Sequence, residues 1–175
     1  MMKFISLVAI VVYFATVQWS DSASISPPSH GNGAQGGSRA VVHLGTVEGK
    51  NFYAVNGYRN WTEAKEYCQW LGMELATIET SAQLYFLQTV YNRNTFRGNH
   101  WIDARDSFEE RQFTWDRINA PVSTLSSLPI LSSHMPYQTC VAYYSDLPAK
   151  IFLDPCETTV YTLCDSNNTV TIQNI

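Results

Sequence analysis

The four cysteines constrain the fold of this chain more than any other feature. Cys68 stands alone, whereas Cys140, Cys156 and Cys164 follow one another with fifteen and then seven residues between them. An even number of cysteines is typical of disulfide pairing in an oxidising compartment, and four cysteines allow three pairings between which spacing does not decide. Zinc is disfavoured because there is no Cys-x-x-Cys pair and the four histidines are scattered singly.

The first residues indicate export. Lys3 precedes an apolar run of fourteen residues, Phe4–Val17, which is shorter than the roughly 20 residues that span a bilayer. We therefore predict a signal peptide over residues 1–23, followed over residues 24–40 by a flexible tether rich in Ser, Pro and Gly. No later stretch is apolar enough to span a membrane, so a secreted, extracellular chain with disulfides is expected.

Length and composition indicate one domain without a nucleic-acid partner. A chain of 175 residues that is 45% hydrophobic can bury one core. Its 11 basic and 15 acidic residues give a net charge of −4, and no run of Lys or Arg could neutralise a phosphate backbone. We place the domain at residues 41–166 and a polar tail at residues 167–175. The sequence gives no indication of the oligomeric state.

Hydrophobic periodicity predicts two helices followed by short strands, an α+β arrangement. The stretch NWTEAKEYCQWLG has an N-cap at Asn60, a capping-box glutamate at Glu63 and a C-cap glycine at Gly72. A short strand and a second helix, SAQLYFLQTVYN, precede the aromatic and β-branched runs that begin after Asn99. The residues predicted to face inward from the helices are Trp61, Ala64, Cys68, Leu71, Leu84, Leu87 and Tyr91.

Three ordered stretches resemble the C-type lectin-like domain family. They are NWTEAKEYCQWLGMELATI from Asn60, WIDARDSFEERQFTWDRINAPV from Trp101, and the spacing of the last three cysteines. The resemblance extends from Phe52 to Cys164 and implies a fold with two helices, short antiparallel sheets and a long loop region. It also implies the disulfides Cys68–Cys164 and Cys140–Cys156.

The calcium ligands of that family are missing from this sequence. Sugar-binding relatives hold calcium with Glu-Pro-Asn or Gln-Pro-Asp in the long loop and with Trp-Asn-Asp before the third cysteine. This chain has Leu128-Pro129-Ile130 and Ile151-Phe152-Leu153 in their places. Because calcium takes about six to eight oxygen ligands, we expect neither calcium nor any other cofactor.

The acidic residues after Trp101 allow two interpretations. Asp106 and Glu110 match half of an accessory calcium site of some relatives, but the other partners would be Gln138 and Thr139. We therefore interpret the group as a solvated acidic face without a metal. Its members are Asp103, Asp106, Glu109 and Glu110.

The resemblance implies ligand recognition outside the cell and no enzyme activity. The sequence contains no GxSxG nucleophile elbow. Family membership favours a glycan or glycoprotein ligand, bound without calcium. The missing metal ligands favour an alternative, an extracellular protein-binding or structural module that has lost carbohydrate binding.

The long loop is the predicted ligand site. The resemblance places it at Val122–Thr139, beside the turn Ser145–Ile151, and this loop is also expected to display Leu125 and Met135. Exposed apolar residues of this kind mark interaction surfaces. The candidate contact residues are Leu128, Pro129, Ile130, Leu131, His134 and Tyr137. Two sequons, at Asn60 and Asn167, predict N-linked glycans.

Overall fold

A β-hairpin precedes both helices in the computed structural model, which describes residues 41–90, 96–106, 112–132 and 139–170. Its strands are β1 (Val41–Val47) and β2 (Lys50–Arg59). The two residues between them, Glu48 and Gly49, both have positive φ angles, 49° and 78°. Such turns match the twist of the strands, but their strongest sequence signal is Asn-Gly or Asp-Gly, not Glu-Gly. Because β1 and β2 precede α1, the prediction that the two helices come first is wrong.

The other elements continue in chain order. They are α1 (Trp61–Trp70), β3 (Glu74–Leu75), α2 (Ser81–Val90), β4 (Asn99–Asp106), β5 (Phe113–Trp115), β6 (Ala120–Pro121), β7 (Ile130–Ser132), β8 (Thr139–Tyr144), β9 (Lys150–Pro155) and β10 (Val160–Ser166). The strands pair in the order β1-β2-β10-β4-β8-β9-β7, with β3 on β10, β5 on β4 and β6 on β5. Most pairs are antiparallel as predicted, but β10 with β4 and β7 with β9 are parallel.

The predicted caps of α1 are confirmed. The backbone N–H of Glu63 donates to the Asn60 side chain at 2.9 Å, and the Glu63 carboxylate accepts from the Asn60 backbone at 3.2 Å. Gly72 has a φ of 73°, the left-handed conformation that ends helices. Leu71 directly follows α1 and is half-buried, packed against the core cluster around the helix. The buried residues of α1 are Trp61, Ala64, Tyr67 and Cys68.

The start of α2 is fixed by Thr80, whose hydroxyl accepts from the Gln83 backbone N–H at 3.1 Å. Leu84 and Leu87 are buried as predicted, and Tyr91 lies outside the described residues. Among the helices described, none is long and apolar enough to cross a membrane.

The core consists of two hydrophobic clusters. One packs α2 against the sheet around residues such as Leu87, Ile102 and Trp115, and the other surrounds α1. Both predicted disulfides are present, with Cys68–Cys164 joining α1 to β10 and Cys140–Cys156 joining β8 to the residue after β9. The fold class is thus the predicted one. The signal peptide, the tether, the tail and the limits of the domain stay predictions.

Candidate ligand-binding site

The first part of the long loop packs onto the core. Leu125 is fully buried in the larger cluster, and the Leu128 backbone N–H donates to its carbonyl at 3.0 Å. The Thr124 hydroxyl donates to the carbonyl of Ile78. The prediction that Leu125 is displayed is therefore wrong, because its side chain fills the space between the loop and the sheet.

Two of the predicted contact residues, Ile130 and Leu131, lie on β7 at the edge of the sheet, and Leu128 and Pro129 directly precede it. The Ile151 backbone N–H donates to the carbonyl of Pro129 at 3.0 Å, and from there β7 runs parallel to β9. Ile130 and Leu131 are 52% and 39% exposed, Pro129 is exposed, and Leu128 packs half-buried against the core. His134, Met135 and Tyr137 lie outside the described residues. Of the six candidate residues, the consecutive Pro129, Ile130 and Leu131 are thus exposed at one edge, whereas Leu128 packs against the core.

The turn between β8 and β9 is the second part of this site. Ser145 is buried, and its hydroxyl donates to the carbonyl of Phe96 at 3.0 Å. Leu147 is exposed at the tip of the turn. The turn therefore combines an anchored base with an apolar tip.

Apolar residues of β7 and β9 stand opposite each other where the resemblance places the family's calcium ligands. Ile130 stands opposite Ile151 in the parallel β7–β9 pair, and Leu131 stands opposite Phe152. Asp154 stands opposite Cys140 on the antiparallel side of β9. Across the four described ranges no group of three or more His, Cys, Asp or Glu side chains could hold a metal ion. The positions that would supply oxygen ligands instead supply apolar side chains.

A cavity of about 410 Å³ opens beside β7. Two alternate residues of β9, Ile151 and Leu153, form one wall together with Val141 of β8. The described residues that line it are Gln112, Phe113, Pro121, Val122, Ser123, Leu125, Ser126, Ile130, Val141, Ile151 and Leu153. The sequence does not reveal the cavity, because its walls come from segments that lie far apart in the chain.

The acidic residues of β4 are not solvated. Asp103 is 1% exposed, and Asp106 is also buried, so the predicted acidic face is wrong for both. One Asp103 carboxylate oxygen accepts from the backbone N–H of Arg117 at 2.7 Å, and the other lies 4.0 Å from Lys65 Nζ. Burial raises the pKa of Asp103 to about 6. Glu109 and Glu110 lie outside the described residues, so the accessory half-site stays untested.

A second buried carboxylate, Asp165 on β10, neutralises two cations. Nη1 and Nη2 of Arg117 each donate to it at 3.0 Å, and Lys50 Nζ lies 3.3 Å from it. The backbone N–H of Thr77 also donates to it, at 2.9 Å. A hydrogen bond from Lys50 lowers the pKa of neighbouring Glu79. None of these side chains lines the cavity, so the network serves the fold.

The two sequons lie in different surroundings. The Asn60 side chain is half-buried and caps α1, whereas Asn167 is exposed just beyond β10. A glycan on Asn60 would have to leave the capping oxygen free, so Asn167 is the more accessible acceptor. Both modifications stay predictions.

In a comparison with protein-family models, residues 58–166 match the Lectin C-type domain family. Human lithostathine has a similar structure, with a TM-score of 0.58 and 24% identity over 71% of this chain and 88% of that one. A complex of SPL-1 with GlcNAc matches with a TM-score of 0.57 and 17% identity, over 71% of this chain and 92% of that one. A Ca²⁺-dependent type II antifreeze protein in its Ca²⁺-free form matches with a TM-score of 0.56 and 14% identity, over 70% and 95%. No curated protein sequence matches the chain.

Proposed function

Because the chain belongs to the C-type lectin domain family, we propose that it is a secreted, non-enzymatic recognition protein that binds a glycan or glycoprotein without calcium. Its binding face is formed by the exposed residues Pro129, Ile130 and Leu131 and by the turn 145–151. One observation carries the proposal: Leu128-Pro129-Ile130 and Ile151-Phe152-Leu153, which stand where the resemblance places the calcium ligands, carry only apolar side chains, and Ile130 pairs with Ile151 across β7 and β9.

An extracellular location is supported by the cysteines and by the apolar run near the start of the sequence. Both disulfides require an oxidising compartment to form and persist. The run Phe4–Val17 has the length of a signal-peptide core. These two features are independent, since one concerns the folded domain and the other concerns residues outside it.

A glycan ligand is supported by family membership, and a protein surface is the second candidate. The specific observation for the second candidate is apolar exposure, because Ile130, Leu131 and Leu147 are exposed on neighbouring parts of the site. Apolar side chains at the centre of a contact are typical of protein interfaces. A glycoprotein would satisfy both arguments.

The decisive experiment is glycan-array binding of the secreted protein, with and without a chelator. Binding that a chelator does not change is expected, since the described residues of the site include no group of side chains that could hold calcium. Binding that the chelator abolishes would contradict the proposal. Absence of any glycan binding, together with crosslinking to an extracellular protein by a photoreactive leucine analogue placed at Leu147, would favour the protein-binding module.

Calcium is expected to leave the melting temperature of the protein unchanged. An ion that binds only the native state must raise the melting temperature, and the apolar residues at the metal position give calcium little to bind. Thermal unfolding followed by circular dichroism in saturating CaCl₂ would measure this, with NaCl of the same ionic strength as control. A rise that chelator reverses would disprove the expectation.

Replacing Ile130 and Leu131 together by serine is expected to weaken ligand binding at least tenfold, a loss of about 1.4 kcal/mol. Both side chains are exposed, so the substitutions should leave the fold intact. The glycan or glycoprotein that binds the array best would serve as ligand. Ile118→Ser is the matched control, because Ile118 is 43% exposed but lies in the turn after β5. If both variants bound the ligand with equal affinity, β7 would not be part of the binding site.

A further inference from the structure

We propose that the cavity beside β7 binds a small, uncharged, largely apolar molecule. Its volume of about 410 Å³ lies within the range of about 300–1,000 Å³ that is typical of small-molecule sites. This binding activity goes beyond recognition of a glycan or protein, and it does not require that either is bound.

The walls of the cavity are held by backbone hydrogen bonds. The Val122 N–H donates to the carbonyl of Phe113 at 3.0 Å, which fixes one side. On the other side, Val141 and Leu153 are direct partners in the β8–β9 pair. Leu125 is fully buried between these two sides. A cavity built in this way is largely formed before a ligand enters, so binding would cost little ordering of the protein.

The chemistry of the lining selects an uncharged ligand. Among the described residues that line the cavity none is charged, and three carry polar side chains: Gln112, Ser123 and Ser126. The Ser126 hydroxyl already donates to the carbonyl of Ser123 at 2.7 Å. An ion or a polyhydroxylated sugar would lose its hydration in this cavity without enough hydrogen bonds in return. An aromatic or short aliphatic molecule with one or two polar atoms fits the lining better.

The size of the cavity favours a free molecule over one side chain of a partner protein. A single side chain would leave much of the volume empty, and protein contacts are normally packed without such voids. A ligand can reach the cavity from solvent beside Ile130, because this residue lines the cavity and is 52% exposed.

Alternation along β7 gives a sharp test. Successive strand residues point to opposite sides, and accordingly Ile130 lines the cavity whereas Leu131 is absent from the lining described. The neutral fluorophore N-phenylnaphthylamine would be titrated into the protein and into Ile130→Asp and Leu131→Asp. Saturable binding is expected, at least tenfold weaker for Ile130→Asp and within twofold of the original for Leu131→Asp.

Two controls make the result specific to this cavity. Anilinonaphthalene sulfonate has the same aromatic skeleton with an added negative charge, so it should bind more weakly than the neutral fluorophore. Ser126→Phe should block the cavity from an exposed position, whereas Ser127→Phe, exposed and outside the lining described, should not. No saturable binding by the folded protein, or equal effects of the two aspartates, would overturn the inference. Neither outcome would bear on the glycan array, so the two proposals fail separately.

Discussion

Replacing Cys68 and Cys164 together by alanine is expected to lower the free energy of unfolding by about 4–5 kcal/mol. The disulfide closes a loop with a sequence separation of 96 residues, so its loss restores a large conformational entropy to the unfolded chain. Alanine avoids leaving a hydroxyl group at two fully buried positions. Urea denaturation without reductant would measure the change.

The second disulfide provides the matched control. Cys140–Cys156 closes a loop with a separation of only 16 residues, for which the same model gives about 3 kcal/mol. Alanines at these two positions should therefore destabilise the protein less than alanines at Cys68 and Cys164. The reverse order would show that chain entropy does not govern the contribution of the disulfides.

Asp165→Asn is expected to cost about 3–5 kcal/mol of unfolding free energy. The Asp165 side chain is 2% exposed and pairs with both Lys50 and Arg117. Asparagine keeps the shape but removes the charge, which leaves the nearly buried ammonium group of Lys50 with Glu79 and the two oxygens of Thr77 as its partners. Removing one member of a buried ion pair is costly because the other charge has already lost its hydration. Urea denaturation at neutral pH would measure the loss.

Asp116→Asn is the control for this effect. Asp116 also bridges two cations, Lys65 at 2.5 Å and Arg105 at 2.5 Å, but their side chains are 26% and 39% exposed. Water can replace the lost interactions there, so a change below about 1 kcal/mol is expected. Equal losses for the two variants would contradict the distinction between buried and exposed charge.

Local signals in the sequence predicted local structure well. The N-terminal cap of α1 depends on Asn60 and Glu63, which are three positions apart, and its C-terminal end depends on Gly72 alone; both formed as expected. The disulfides were predicted through the family resemblance, because cysteine spacing alone left three pairings open. The β1–β2 hairpin was missed because Glu48-Gly49 is a weak turn signal.

Features that depend on tertiary contacts were not predictable in the same way. Asp103 was expected in solvent, yet it accepts from the Arg117 backbone N–H, fourteen residues further along the chain. Asp103 lies next to an irregularity in the pairing of β4 with β8. Such an irregularity interrupts the alternation of inward and outward side chains along a strand, on which a prediction from sequence depends. The cavity likewise requires β7 to pair with β9. This pairing was not predictable, because β7 has only three residues and such a short strand shows no periodicity in the sequence.

The hairpin and β10 have a consequence for how the domain would respond to tension. β1 and β10 both run antiparallel to β2, on its two sides, from the Arg59 end towards the Lys50 end. A pull on the chain before Val41 and after Ser166 would therefore drag the two strands in opposite directions along their axes. The hydrogen bonds lie across the strands, so they would be loaded together in shear instead of opening one at a time. The Cys68–Cys164 bond would also keep the chain between those cysteines from extending at all.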